Sequence, residues 1–442
     1  MRPELENIMD RRTLLAAGAA LTASGVFAKS TTFANLKFPQ GFLWGAATAG
    51  HQVEGNNVNS DIWLAEHVSP TAFAEPSGDA ANSFALWRTD LDLVRDMGLN
   101  TYRFSLEWAR IEPEPGQFSL AMLDHYKAMI AGCRERALVP MVTFNHFTTP
   151  RWFAARGGWE NPEAPELFAR YCDRAARHLG GAIGYAITLN EPNLAGVLQD
   201  LLPGNLVGTD KAMAEAAARA CNSDHFQPGS ALYIRDPAKT QANLLEGHAK
   251  GRAAIKAVCG DLPVGVSLAI IDDQAVGRNS LRDSKRQLYY EPWLEAARND
   301  DFLGVQNYER AVWSDKAKLP APPGSKVNSM GAEVYPPSLA NVARYAHARS
   351  GVPIMVTEHG VGSDDDTIRA WLIPAALAEL HKAIAEGVPV LGYVHWSLVD
   401  NFEWLFGYRI HFGLHELDRA NFKRTPKPSA AILGSIARRN SI

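Results

Sequence analysis

The architecture of this chain is best inferred outward from "GYAITLNEPN", residues Gly184–Asn193. This stretch is an apolar, strand-like run that ends in an amide and a carboxylate, Asn190 and Glu191, followed at once by Pro192. A charged side chain at the tip of a buried strand is unfavourable unless something there uses it. The sequence therefore predicts a buried strand whose last side chains serve a site, and their partners should lie at the ends of other strands.

Seven further short apolar runs, each bounded by turn or helix signals, recur along the chain. With the first one, the eight runs are 42–50, 101–108, 139–146, 185–191, 264–271, 302–308, 353–359 and 390–398. Amphipathic helical patterns such as "LDHYKAMIAGCRERA" and "ELFARYCDRAARHLG" separate most of them. Strands that alternate with helices favour parallel pairing, and eight such units predict an α/β fold, a single (β/α)8 TIM barrel. A doubly wound open sheet is the alternative, but no glycine-rich phosphate turn follows the first run.

Polar side chains collect at the ends of these runs. In a (β/α)8 barrel the carboxyl ends of the strands face the active site, so polar residues there indicate chemistry more than stability. Any one of them could be an ordinary polar residue at a barrel rim, but the convergence of so many favours a site. They are Gln52, Glu54, Arg103, His146, Asn190, Glu191, Asn307, Tyr308, Glu358, His359 and Trp396.

Two of these residues, Glu191 and Glu358, are carboxylates from the fourth and seventh runs, on opposite sides of the expected barrel. Opposed carboxyls suit hydrolysis of a glycosidic bond, in which one protonates the departing oxygen and the other attacks or stabilises the sugar cation. A carboxylate beside an arginine should keep a low pKa, whereas one in a less charged environment should have a raised pKa and hold the proton.

The stretch "HWSLVDNFEW" adds aromatic and acidic side chains close to the eighth run, namely Trp396, Glu403 and Trp404. Indole rings pack on the C–H faces of sugars, and carboxylates and amides bind the hydroxyl edges. A tryptophan-rich turn can also simply plug a loop, but here it strengthens the carbohydrate interpretation.

Composition limits the partners. The 442 residues are 46% hydrophobic and 21% charged, with a formal net charge of -4, which gives no reason to expect nucleic acid or an anionic membrane. No motif requires a metal or an organic cofactor. The four cysteines, Cys133, Cys172, Cys221 and Cys259, have no metal-like spacing, and buried free thiols are favoured over a disulfide. The oligomeric state is left open.

The first 28 residues differ from the rest. Arg11 and Arg12 precede a short apolar run and small residues, with a small-x-small cleavage site after Ala28. This pattern predicts an export signal of the twin-arginine type over residues 1–28, a mature domain over 29–442 and a periplasmic location without a membrane contact after cleavage. A retained anchor is the alternative, but 13–28 is shorter than the roughly 20 residues that span a bilayer.

Six ordered motifs resemble glycoside hydrolase family 1, the β-glucosidase family, from Phe38 to the C-terminal region. They are "FPQGFLWGAATAGHQVEG", "YRFSLEWARIEP", "FNHFTTPRWFAARGGWENP", "TLNEPN", "VTEHG" and "HWSLVDNFEW". The resemblance implies a retaining double displacement with Glu191 as acid/base and Glu358 as nucleophile. It also implies that Arg103 and Tyr308 contact the nucleophile. The residues implied to bind the sugar are Gln52, His146, Asn190, Tyr308, Glu403 and Trp404, with Trp396 stacked beneath it.

The chain departs from the family pattern in two places. His359 follows the nucleophile where an asparagine is usual, and it could alter the pH dependence or simply pack. "GVQNY" has Gln306 and Asn307 where the family commonly has an Asn-Tyr pair. The stretches 201–227 and 309–337 are expected to be long loops at the mouth, which either shape the leaving-group site or are solvated spacers.

The preferred substrate is a terminal β-D-glucoside, bound as a small molecule or oligosaccharide. A β-galactosidase or β-fucosidase, a transglycosidase using the same residues, and a catalytically weak carbohydrate-binding barrel are the alternatives. A 6-phospho-β-glycosidase is disfavoured because Glu403 would repel the phosphate.

Overall fold

The computed structural model describes residues 36–201 and 208–442, so the predicted export signal lies outside the described residues. Its strands are β1 Leu43–Ala47, β2 Thr101–Ser105, β3 Val139–Asn145, β4 Tyr185–Asn190, β5 Val264–Ala269, β6 Asp272–Ala275, β7 Phe302–Asn307, β8 Arg310–Trp313, β9 Ile354–His359, β10 Val390–Trp396, β11 His415–Asp418 and β12 Lys423–Pro426.

Helices separate the strands. They are α1 Gly50–Val53, α2 Asp61–His67, α3 Ser83–Asp96, α4 Trp108–Ile111, α5 Leu120–Glu135, α6 Arg151–Ala155, α7 Ala164–Leu179, α8 Leu194–Leu201, α9 Thr209–Ala220, α10 Pro237–Val258, α11 Arg282–Tyr289, α12 Glu291–Ala296, α13 Ser338–Ser350, α14 Asp366–Ala385 and α15 Pro428–Arg439. Short 3-10 turns occur at Gly158–Glu160, Gly180–Ala182, Ala297–Asn299 and Trp404–Phe406.

Eight of the described strands close into a parallel barrel in the order β1-β2-β3-β4-β5-β7-β9-β10, with β10 paired back to β1. The predicted TIM barrel is therefore confirmed, and each predicted run contains one barrel strand. Closure of the barrel brings together residues that are far apart in the sequence. Ala47, for example, lies opposite both Trp396 and Arg103.

Two apolar layers hold the barrel. The larger lies between the strands and the surrounding helices, where α7 packs on α10 and Trp108 stacks on Tyr171 at 4.9 Å. A smaller cluster fills the barrel interior below the site. Its buried members are Leu43, Ala47, Ala49, Met141, Ile187, Phe302, Met355, Val394 and Trp396. This packed floor leaves only the carboxyl ends of the strands open to a ligand.

The long segments at the mouth contain more regular structure than the sequence pattern indicated. The segment 201–227 includes α9, and 309–337 includes β8, which pairs in parallel with β6. Within the described residues all four cysteines are free thiols; Cys133 and Cys172 are buried, whereas Cys221 and Cys259 are only half-buried. No described helix is both long and apolar enough to cross a bilayer.

Candidate active site

Glu358 lies near the end of β9 and is held by three hydrogen-bond donors. The Arg103 guanidinium donates to its Oε1 at 2.5 Å, the Gln306 amide donates to the same oxygen at 2.9 Å, and the Tyr308 hydroxyl donates to Oε2 at 2.6 Å. Burial raises the pKa of Glu358, and the Arg103 charge, Tyr308 and Gln306 oppose that rise. The expectation of a low pKa at this carboxyl was therefore wrong, because desolvation outweighs the arginine.

Arg103, from β2, is the cation that holds several site residues together by hydrogen bonds. Its side chain is 1% exposed and donates to Glu358, to Asn190 Oδ1 at 2.5 Å and to Thr143 Oγ1 at 3.1 Å. A planar guanidinium presents its donors in a fixed fork. Arg103 therefore sets the distance and orientation between the ends of β4 and β9.

Gln306 was not predicted as a site residue. Its amide donates both to Asn190 Oδ1 at 2.7 Å and to Glu358, whereas its own Oε1 is buried without a partner among the described residues. In the sequence, Gln306 stands out only because it differs from the residue that is common at this place in the family motif. The signal that could have identified it is its position in β7, two residues before Tyr308 and so on the same face of the chain.

Glu191 follows the last residue of β4. Its backbone has φ 44°, and its N–H donates to the carbonyl of Ser267 on β5 at 2.7 Å, which turns the chain out of the strand. Within the part of the chain that the structure describes, its carboxyl has no hydrogen bond or ion pair. Burial first, and then the charge of Glu358, raise the pKa of Glu191 well above its usual range. This carboxyl is therefore suited to carry a proton at neutral pH.

Asn190 and His146 sit beside the two carboxyls. The Asn190 amide is 3.2 Å from His146 Nε2, so its N–H donates to a neutral imidazole. Burial lowers the pKa of His146 well below its usual range, and Arg103 lowers it further. His146 Nδ1 is buried without a partner among the described residues and is available to a ligand.

Aromatic rings form one wall. The imidazole of His146 stacks on Trp396 with ring centroids 5.6 Å apart and on Trp404 at 6.2 Å. Trp404 also stacks on His51 at 5.8 Å, with the ring planes only 6° apart. These nearly parallel rings provide flat apolar surfaces of the kind that C–H faces of a sugar pack against.

Gln52 and Glu403 contribute polar groups next to this aromatic wall. The Gln52 amide donates to the Phe402 carbonyl at 2.8 Å, which leaves its Oε1 buried without a described partner. Trp396 Nε1 donates to Glu403 at 3.3 Å. Burial raises the pKa of Glu403 to about 8. The unpaired Oε1 of Gln52 and the carboxyl of Glu403 can bind neighbouring hydroxyl groups of a ligand.

His359 has no part in this arrangement. Its Nδ1 lies 3.0 Å from the Tyr393 hydroxyl, and burial lowers its pKa to about 3. The imidazole is therefore neutral at physiological pH, and of the two possibilities for His359, packing fits better than control of the pH dependence. No group of acidic, histidine or cysteine side chains arranged to bind a metal occurs in residues 36–201 and 208–442.

The barrel and its opposed carboxyls, set beside an aromatic wall and a hydroxyl-binding edge, define a glycoside hydrolase. The family model described as Glycosyl hydrolase family 1 matches residues 34–285 and 297–442, and the chain belongs to this family. The resemblance inferred from the six motifs is thereby confirmed.

Individual relatives and solved structures that are similar to this chain agree with the family assignment. A curated β-glucosidase from an Agrobacterium species is 30% identical, and the match covers 91% of this chain and 95% of the relative. Among solved structures, a β-glycosidase is 46% identical with a TM-score of 0.86, covering 92% of this chain and 98% of the other. The β-glucosidase from Thermotoga maritima in complex with deoxynojirimycin is 26% identical with a TM-score of 0.80, covering 92% and 99%.

Proposed function

We propose that this chain is a retaining β-glucosidase that removes terminal β-D-glucosyl residues, with Glu358 as nucleophile and Glu191 as general acid/base. The observation that carries the proposal is the contrast between the two carboxyls. Glu358 accepts three donors, whereas Glu191 has no described partner. Donors to a carboxylate favour its charged form, and burial without donors favours the protonated form.

The proposed reaction has two steps. Glu358 attacks the anomeric carbon while Glu191 gives its proton to the departing oxygen, and a glycosyl-enzyme ester forms. Glu191, now ionised, then takes a proton from water as that water attacks the anomeric carbon and releases Glu358. Arg103, Tyr308 and Gln306 hold the nucleophile in position. Asn190 and His146 would contact the sugar near the reacting carbon, Trp396 would lie beneath the ring, and Gln52, Glu403 and Trp404 would bind its far edge.

The test of the nucleophile is Glu358→Ala with added azide or formate. The variant should lose nearly all turnover, and a small anion in the vacated space should restore part of it and give an α-configured product, as seen by time-resolved NMR. The conservative Tyr308→Phe should keep activity in the absence of azide, although reduced. Failure of every anion to rescue a folded Glu358→Ala would contradict the assignment.

The test of the acid is Glu191→Ala on aryl β-glucosides of graded leaving-group quality. Substrates with very good leaving groups need little protonation and should be spared, whereas poor ones should lose ~10²–10⁴-fold in kcat/KM. The alkaline fall of the pH profile should also disappear. Equal losses across the series would count against the role of Glu191.

The identity of the sugar and of the acceptor is tested separately. A matched panel of β-glucoside, β-galactoside and β-fucoside decides among these sugars, and added alcohol acceptors reveal transglycosylation.

Export through the twin-arginine route to the periplasm is a separate part of the proposal. It is supported by Arg11 and Arg12 before the short apolar run. In a bacterial host with that pathway, wild-type activity should fractionate with the periplasm, and changing both arginines to lysine should retain it in the cytoplasm. If the wild type and the double lysine variant were distributed in the same way between periplasm and cytoplasm, the two arginines would not be part of an export signal.

A further inference from the structure

His51 joins the two segments of the chain that supply the far edge of the proposed sugar site. It directly precedes Gln52 on α1, and its imidazole stacks on Trp404 with the ring centroids 5.8 Å apart and the planes 6° apart. The same imidazole packs at 6.0 Å on the ring of Phe402, whose carbonyl accepts the Gln52 amide. His51 therefore connects the helix that carries Gln52 to the turn that carries Glu403 and Trp404.

Buried partners hold the imidazole of His51 in one orientation. Its Nε2 lies 2.8 Å from Glu66 Oε1, and neither side chain is exposed to solvent. The other oxygen of Glu66 accepts the backbone N–H of Ser77 at 3.0 Å and its hydroxyl at 2.8 Å. The backbone N–H of His51 donates to the buried carboxyl of Glu107 at 2.9 Å. A buried polar network whose members are paired is rigid, so the plane of the imidazole is fixed before a ligand binds.

Trp404 needs support from its neighbours because its backbone is strained. It has φ 49°, in the left-handed region that a bulky side chain rarely adopts. Such strain persists only where the surrounding contacts enforce it. Among the described residues, the other rings in contact with Trp404 are those of His146 at 6.2 Å and Phe147 at 5.3 Å, and both directly follow β3. Without His51, rings from only one side of the barrel sequence would hold the indole in place.

We propose that His51 is a positioning residue, which holds the indole of Trp404 in the orientation that binds the sugar and does not itself contact the substrate. Its side chain has an exposed fraction of 0%, so any effect on the sugar must pass through a neighbour. This inference rests on the proposed β-glucosidase function and adds a residue to it. Since Trp404 is assigned to the far edge of the sugar, away from the reacting carbon, loss of the ring at position 51 should raise KM and change kcat little.

The experiment compares two double variants that differ only in the presence of a ring at position 51. His51→Phe with Glu66→Gln keeps an aromatic ring, whereas His51→Leu with Glu66→Gln keeps only apolar volume, and both remove the buried carboxylate that would lose its imidazole partner. On 4-nitrophenyl β-D-glucoside, the leucine form should raise KM roughly fivefold, with kcat within about twofold of wild type. The phenylalanine form should restore KM to within about twofold of wild type.

A matched control tests whether the loss of any stacked histidine has this effect. His67 is exposed and stacks on Trp63 with centroids 4.5 Å apart, and neither residue belongs to the proposed sugar site. His67→Leu should leave KM and kcat unchanged. The melting temperature of every variant is measured, and His51→Gln replaces the leucine form if that form does not fold.

A double-mutant cycle shows whether His51 acts through Trp404. In the Trp404→Ala background, the leucine and phenylalanine forms at position 51 should have the same KM, because the indole that the ring positions is gone. Equal KM values for the two forms with Trp404 present would overturn the positioning role. A difference that persisted in the Trp404→Ala background would also overturn it, since the effect would then reach the sugar by another route.

Turnover by the wild type separates this inference from the function on which it rests. If the wild type hydrolyses the glucoside and the two forms do not differ, the positioning role fails and the β-glucosidase function stands. If the wild type hydrolyses no glycoside, calorimetric titration with glucose makes the same comparison with Kd in place of KM, and the positioning role stands or fails by it. Folded wild-type protein that neither hydrolyses the glucoside nor binds glucose would overturn both.

Discussion

Glu403 is a buried carboxyl whose protonation is linked to the stability of the fold. It has one described donor, Trp396 Nε1, and burial and the neighbouring acids Glu358 and Asp400 raise its pKa to about 8. Because the folded protein then holds a proton that the unfolded chain releases near pH ~4.3, the folded state loses stability as the pH rises from about 4.3 to about 8. A sugar hydroxyl in the site would supply the missing partner.

We expect Glu403→Gln to remove this pH-dependent loss, since glutamine cannot titrate. The difference in melting temperature between variant and wild type should be small at pH 5 and should grow by about 3 °C toward pH 9 in the absence of sugar. Scanning calorimetry across pH measures it, with Glu114→Gln at an exposed position as control. A difference that did not change with pH would mean that Glu403 is not the titrating group.

Residue types and their places along the chain were enough to select the two carboxyls, and the family resemblance implied that Arg103 and Tyr308 contact Glu358. Arg103, Asn190, Tyr308 and Glu358 do lie in one hydrogen-bonded group in the structure. Gln306 was not selected, although its place two residues before Tyr308 puts it on the same face of the chain. Its distances to two site residues are what separate it from an ordinary amide on a barrel rim.

At the scale of elements, the ends of β9 and β10 are coupled by a close backbone approach. A Cβ added at Gly360, directly after β9, would lie 2.2 Å from the carbonyl oxygen of Trp396. Real Cβ atoms do not approach a backbone oxygen so closely, so a side chain at position 360 must push the end of β10 away. Trp396 is the residue proposed to lie beneath the sugar.

Gly360→Ala should therefore lower kcat/KM by tenfold or more and the melting temperature by about 3 °C, because a displacement of ~1 Å in a site can reduce the rate 10²-fold. Steady-state kinetics on an aryl β-glucoside and thermal unfolding give both values. Gly181→Ala, at a glycine whose added Cβ would meet nothing within 4 Å, is the matched control. Unchanged kinetics in Gly360→Ala would show that the end of β10 tolerates movement.

Elements with strong patterns were predicted, and elements with weak ones were not. The barrel strands are apolar runs bounded by clear turn signals. In contrast, β6 has the sequence "DDQA" and shows no alternation, and α9 is rich in alanine, which gives little hydrophobic contrast between its faces. The high helix propensity of alanine was the signal that could have identified α9.

At the scale of the whole molecule, closure of the barrel depends on contacts that no local pattern contains. Arg103 and Glu358 are separated by 255 positions in the sequence, and the pairing of β1 with β10 joins the first barrel strand to the last. Counting eight strand-like runs predicts closure, but the register that brings the site residues together follows only from the packed interior. The sequence pattern therefore predicts the order and closure of the strands directly, but the distances between site residues only indirectly.

Asn440, at the end of α15, ties the two ends of the described chain together beneath the barrel. Trp44 Nε1 donates to its side-chain oxygen at 2.9 Å, its amide donates to the Phe38 carbonyl at 2.9 Å and to the Pro39 carbonyl at 3.2 Å, and its backbone has φ 49°. Asparagine tolerates this left-handed conformation better than alanine does. These contacts lie next to the start of β1, at the end of the barrel remote from the site.

Asn440→Ala should destabilise the fold by about 2–3 kcal/mol, through lost hydrogen bonds and left-handed strain, and lower the melting temperature by about 3 °C. Asn440→Gly removes the same hydrogen bonds without the strain, so the difference between the two variants measures the strain less the entropy that glycine adds to the unfolded chain. Because the contact is remote from Glu191 and Glu358, kcat and KM at 25 °C should match the wild type in both. A kinetic change in either variant at a temperature where it is fully folded would show instead that movement at the base of β1 reaches the strand ends.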